Sequence, residues 1–117
     1  MHALVLLAPR RTTPADAEQP PGHERSIDRL DPELHAEHER FIDRLDQADK
    51  VVLGGRLRPA AAGFEGAYVV SCESLAEARE ISASDPYVRA GAISCEVVEW
   101  ELVGINPDAV DRGALLY

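Results

Sequence analysis

The chain has 117 residues, 45% of them hydrophobic, which suits one domain built on one core. Its formal net charge of −9, with Lys50 the single lysine, excludes a non-specific nucleic-acid binder, because neutralising phosphates needs clustered Lys and Arg. No apolar run approaches the roughly 18 residues of a membrane span, and the run Ala3–Ala8 is too short and lacks a basic flank for a secretory signal, so a cytoplasmic protein is expected.

Residues 3–8 read as a buried strand ended by Pro9. Residues 9–25 hold Pro9, Pro14, Pro20, Pro21 and Gly22 and read as a long variable loop, a candidate lid. Ser26–Leu30 adds a short helical turn. The first main helix is predicted from Asp31 to about Ala48: Asp31 is a good N-cap, Pro32 suits the first helical position and Glu33 favours the positive end of the dipole. Residues 50–57 predict a second strand bent at Gly54-Gly55, 58–65 a turn, and 66–72 the third strand of a hairpin. Ser74 and Glu77 match a capping box, opening a second helix whose apolar face is Leu75, Ala78 and Ile81. Pro86 ends or kinks that helix. A fourth strand is expected over 92–103, followed by a tail, 104–117, with a short turn after Asn106-Pro107.

The order β-α-β-β-α-β predicts an α+β ferredoxin-like sandwich over residues 1–103: one antiparallel sheet, in order 4-1-3-2, with both helices on one face. Strand one then separates strands three and four, which holds Cys72 and Cys95 beyond the roughly 7 Å that a disulfide spans. Both read as small buried thiols. Strand four is apolar on two faces, with Ile93, Cys95 and Val97 opposite Val98, Trp100 and Leu102, and strand three behaves likewise. The helices cover only one face, so a second copy of the sheet is the simplest cover for the other, and a homodimer packed sheet to sheet is expected.

His38 carries the most chemical information. At helical spacing Leu34, His38, Phe41 and Leu45 share one stripe. An imidazole on an apolar stripe needs a polar partner or carries a desolvation cost. Asp85, in Ser84-Asp85-Pro86-Tyr87-Val88, is a candidate partner. Held by that carboxylate, His38 suits general acid/base work near neutral pH. The alternatives are a core histidine satisfied by a backbone carbonyl, and an Asp85 that starts a turn by bonding its own backbone. His35 reads as a partly exposed neighbour, with no third ligand for a metal pair. Arg56 and Arg58 are either anion binders or solvated loop residues. Tyr87 and Trp100 either line a pocket or pack a core or dimer contact. No cofactor or metal set is evident.

In order along the chain, Glu37-His38-Glu39-Arg40-Phe41, Val52-Leu53-Gly54-Gly55-Arg56-Leu57, Gly66-Ala67-Tyr68-Val69-Val70, Ser74-Leu75-Ala76-Glu77-Ala78, Asp85-Pro86-Tyr87-Val88-Arg89-Ala90-Gly91 and Val98-Glu99-Trp100 resemble the YciI-like (YCII-related) family of dimeric α/β barrel proteins. The stretch around Asp85-Pro86-Tyr87 and Ala90-Gly91 is the most specific part. The resemblance implies a His–Asp pair, here His38 and Asp85, in a pocket between sheet and helices, and a family in which one member resembles a lyase that eliminates chloride from a hydroxylated aromatic ring. The chain departs from the family in its long proline-rich first loop and in Arg56, where proline often follows the glycine pair.

The expected function is a small cofactor-independent enzyme performing elimination, isomerisation or similar acid/base chemistry on a small organic molecule, aromatic or polyketide-like. His38 and Asp85 would be its catalytic pair, and Tyr87, Arg56 and Trp100 its substrate-binding residues. The alternative is a non-catalytic ligand-binding or accessory dimer in which the His–Asp bond is structural.

Overall fold

A computed structural model of the chain describes residues 1–10, 27 and 31–109. Strand β1 runs His2–Pro9, helix α1 Pro32–Gln47, strand β2 Val51–Ala61 and strand β3 Phe64–Ser71. Helix α2 (Leu75–Ala83), a short helix α3 (Pro86–Arg89) and strand β4 (Ile93–Glu99) follow, with a 3-10 turn at Pro107–Ala109. The four strands form one sheet in the order β2-β3-β1-β4, every pair antiparallel. This is the expected α+β, ferredoxin-like arrangement. Most of the 9–25 loop, the helical turn expected over Ser26–Leu30 apart from Ile27, and the end of the tail from residue 110 lie outside the described residues.

Helix α1 begins where its cap residues dictate. The Asp31 carboxylate accepts from the Glu33 N–H at 2.9 Å, and Pro32 needs no donor partner at the first position. Past the helix end at Gln47 and its C-cap Ala48, Asp49 takes a positive φ of 56° and Lys50 N–H donates to Leu45 O at 2.8 Å. Helix α2 starts with Ser74 Oγ accepting from Glu77 N–H at 3.1 Å. Glu77 in return accepts from Glu73 N–H at 2.8 Å, one residue upstream of the expected position, and pairs with Lys50 at 3.1 Å. That ion pair ties the foot of β2 to the first turn of α2.

The hairpin differs from expectation. Strand β2 passes straight through Gly54-Gly55 and reaches Ala61, so the turn is reduced to Ala62 and Gly63, both at positive φ (52° and 84°). Two consecutive positive φ values give a reverse turn whose twist matches that of paired strands. Pro59 is tolerated because β2 is an edge strand, with irregular pairing between Arg56 and Ala61. Pro86 does not kink α2; it opens the separate helix α3, with Asp85 as its N-cap. Strand β4 ends at Glu99, and Trp100 leaves the strand with its N–H still bound to His2 O at 3.0 Å.

The core lies between the sheet and the helices. Ala3, Val5 and Leu7 of β1, Tyr68 and Val70 of β3, Ala78 of α2, Tyr87 of α3 and Ile93 of β4 are buried together, and Ile27 joins them. Cys72, just past β3, and Cys95 of β4 are free thiols, as the separation of the two strands requires; Cys72 is buried as expected, whereas Cys95 is only half-buried. On the opposite sheet face Leu53, Val69, Leu4 and Val98 lie in one cross-strand row, since Leu53 and Leu4 both pair with Val69, and Leu4 also pairs with Val98. Leu53 and Val98 at the ends of that row are 56% and 47% exposed, whereas Val69 between Leu53 and Leu4 is buried. No helix among the described residues is long and apolar enough to cross a membrane.

Candidate active site

Helix α1 presents His35, His38 and Glu39 towards α3 and the open edge of the sheet, where they wall a hollow of about 250 Å3. Leu7, Gly54, Gly55, Arg56, Tyr68 and Tyr87 line its other sides. An apolar cavity of about 150 Å3 accommodates benzene, so this volume has room for one substituted ring. Gly54 makes the floor possible. It pairs with Tyr68, and a Cβ there would stand 2.9 Å from the Tyr68 Cβ. The glycine pair read as a bend from sequence is instead a bare stretch of straight strand beneath the hollow.

The His38 ring and the Asp85 carboxylate meet at 2.9 Å, Nδ1 to Oδ1. A carboxylate only accepts, so Nδ1 carries the proton and Nε2 of the neutral ring is an acceptor. Nε2 makes no hydrogen bond to a described residue, and the side chain keeps 16% of its exposure, at the wall of the hollow. Asp85 is fully buried. Its Oδ1 also accepts from Tyr87 N–H at 2.9 Å, so the residue caps α3 and holds His38 with one oxygen. The two readings of Asp85, turn former and histidine partner, are both realised. The His38 ring stacks on Tyr87 with centroids 4.2 Å apart and planes 16° from parallel, which fixes the imidazole from its face as well as its edge.

Three features were not legible in the sequence. The first is His35, partly exposed as expected (44% of its side chain), but bound to the Tyr87 hydroxyl through Nδ1 and to Glu39 Oε1 through Nε2 at 3.0 Å. Its spacing of four from Glu39 was the available signal. The second is Tyr68, 3% exposed, whose hydroxyl has no hydrogen-bond partner among the described residues. Burial, then the negative charge of Asp85, then Cys95 push its pKa far above the ordinary phenol value, so it stays a donor at every physiological pH. The third is Asp85 Oδ2, likewise buried without a partner among the described residues. The Tyr68 hydroxyl and Asp85 Oδ2 thus each keep unused bonding capacity among the described residues.

Of the other residues singled out from sequence, Tyr87 and Arg56 line the hollow. Arg56 Nε also donates to Glu65 O at 3.4 Å. Trp100 is 45% exposed and does not line the hollow, because β4 lies across the sheet from β2 and has ended before it. Among the described residues no group of three or more His, Cys, Asp or Glu side chains gathers as a metal site.

The sequence profile of the YCII-related domain matches residues 15–101. The protein YjpA of Bacillus subtilis (strain 168), described as uncharacterized, is 35% identical over 105 residues, covering 87% of this chain and 98% of YjpA. Among solved structures, 5-chloro-2-hydroxyhydroquinone dehydrochlorinase (TftG) from Burkholderia phenoliruptrix AC1100, in complex with 2,5-dihydroxybenzoquinone, is similar with a TM-score of 0.57 and 20% identity. That match covers 86% of this chain and 94% of the dehydrochlorinase, and at this identity it speaks to the fold.

Proposed function

The chain belongs to the YCII-related family, and on that premise we propose that it is a small cofactor-independent enzyme in which His38 moves a proton and Asp85 holds the imidazole for that task. One observation carries the proposal: the buried Asp85 carboxylate fixes Nδ1 of His38 at 2.9 Å, leaving Nε2 to act at the wall of a ring-sized hollow. A positioned imidazole with one bonded and one available nitrogen is the arrangement that general acid/base catalysis needs. The reaction class is elimination or isomerisation of a small organic molecule with a single hydroxylated ring or a polyketide-like skeleton. The apolar floor and the dehydrochlorinase with its dihydroxybenzoquinone, on a similar fold, support that class. Tyr87 and Arg56 bind the substrate, Arg56 offering a charge-assisted donor to an anionic oxygen. Trp100 belongs with the exposed sheet face, which a second copy of the chain covers in a cytoplasmic homodimer.

The test is a melting-temperature screen of single-ring phenols and quinones, 2,5-dihydroxybenzoquinone among them, followed by turnover assays of the compounds that bind. A ligand present at 100 times its Kd adds about 2.7 kcal/mol of stability, an easily measured shift. His38→Ala and Asp85→Asn should then lower kcat by about 10²–10⁴, the usual contribution of a positioned acid or base. Binding without turnover by the native chain, or turnover indifferent to both substitutions, would leave the His–Asp bond a structural contact in a ligand-binding dimer.

A further inference from the structure

The His38–Asp85 pair accounts for one proton. A reaction on a hydroxylated ring that also ionises a ring hydroxyl needs a second proton acceptor. Beside the pair stands a second hydrogen-bonded row, running from Tyr87 to His35 to Glu39. Because Glu39 accepts at Nε2, that nitrogen carries the ring proton, and Nδ1 accepts from the Tyr87 O–H. Exposure rises along the row: Tyr87 is 1% exposed, whereas the side chains of His35 and Glu39 are 44% and 51% exposed. All three residues line the hollow, and the inner one stacks on His38.

We propose that Tyr87 is a second proton-transfer group of the hollow, kept in exchange with solvent by His35 and Glu39. The inference rests on the acid/base reading of the site and adds a separate group to it. In the step assigned here, a hydroxyl of the bound molecule passes its proton to the Tyr87 oxygen while the Tyr87 proton moves to His35 Nδ1. The substrate loses one proton, the phenol is regenerated, and His35 becomes an imidazolium paired with the Glu39 carboxylate at 3.0 Å. Solvent then removes the extra proton at the exposed end. The logic is that of a hydroxyl activated by an imidazole which a carboxylate orients. The other titratable groups lining the hollow are His38, which stacks on Tyr87, and Asp43, Arg56 and Tyr68.

The test needs no substrate, so its outcome is independent of whether a turnover assay succeeds. In the full chain labelled with 13C at tyrosine Cζ, the deuterium isotope shift reports exchange of each hydroxyl with solvent, and Tyr87→Phe identifies the relevant signal. A relay speeds exchange of this buried hydroxyl, so His35→Gln should slow it at least tenfold and Glu39→Gln by a smaller factor. A merely structural clamp predicts the opposite sign, because removing His35 opens the site. Unchanged or faster exchange in His35→Gln overturns the proposal. If that variant does not fold, the half-exposed Glu39→Gln decides by the same sign. Failure here with ligand-dependent stabilisation intact would remove Tyr87 as a proton carrier and leave the role of His38 standing.

Discussion

Removing the Asp85 carboxylate tests how firmly the site is held. In Asp85→Ala, helix α3 loses the acceptor for Tyr87 N–H and His38 loses the acceptor for Nδ1–H, both at 2.9 Å. Loss of a cap costs about 1 kcal/mol. Loss of a hydrogen bond to a charged group costs about 2 kcal/mol. Against these stands the relief of a buried carboxylate whose Oδ2 has no partner among the described residues, about 1 kcal/mol. The net is a destabilisation of about 2 kcal/mol, or a melting temperature lower by about 8 °C in a domain of this size. Asp85→Asn keeps an oxygen for both donors and should lose less. The decisive measurement is a urea-unfolding double-mutant cycle with His38→Ala. A shared bond to an oriented, buried charge predicts a coupling of about 1–2 kcal/mol between the two sites. A coupling under about 0.5 kcal/mol would mean that each residue is held by something else, and the reasoning about the pair would be refuted.

Gly54→Ala should destabilise by about 1–3 kcal/mol in urea unfolding, because its Cβ would sit 2.9 Å from Tyr68 Cβ and 3.3 Å from Ala67 O; Gly55→Ala, with nothing within 4 Å, should be near neutral. Glu77 has its pKa lowered, chiefly by the Glu73 N–H and next by the Lys50 ammonium, so its stabilising effect is complete above the unfolded carboxyl pKa and is lost as pH falls through the lower folded value. Glu77→Gln should therefore reduce stability at neutral pH and leave it closer to the native chain's in acid, as chemical denaturation at pH 7 and pH 3 would record. Ser74→Ala should cost about 1 kcal/mol through the lost bond to Glu77 N–H, read from the same unfolding curves. Val98→Asp places a charge at the end of the apolar cross-strand row and should turn the proposed sheet-to-sheet dimer into a monomer by sedimentation, with the helical content unchanged; a native chain that sediments as a monomer would remove the dimer proposal.

Local chemistry made much of this protein legible before any coordinates. The Asp31-Pro32-Glu33 start of α1, the Ser74–Glu77 cap of α2, the short apolar runs of β1 and β3 and the break before Pro86 each depend on residues within a few positions of one another, and the β-α-β-β-α-β order then leaves few ways to build an antiparallel sheet. His38 was conspicuous because an imidazole on an apolar stripe demands a partner, and Asp85 because an aspartate before a proline starts a turn; that the turn opens a helix of its own emerged only from the structure. Tertiary structure alone decided the rest. That one oxygen of Asp85 serves both the cap and His38, and that His35 reaches Tyr87, are matters of ångström-scale distance between elements some 50 residues apart in the chain. The straight path of β2 beneath the hollow follows from register with β3, which sets Gly54 so close to Tyr68 that a Cβ there would clash, and the distance of Trp100 from the hollow follows from the place of β4 at the opposite edge of the sheet. Side-chain period and capping chemistry report on neighbours along the chain; register and packing arise only when separate segments meet, and the site is made of those meetings.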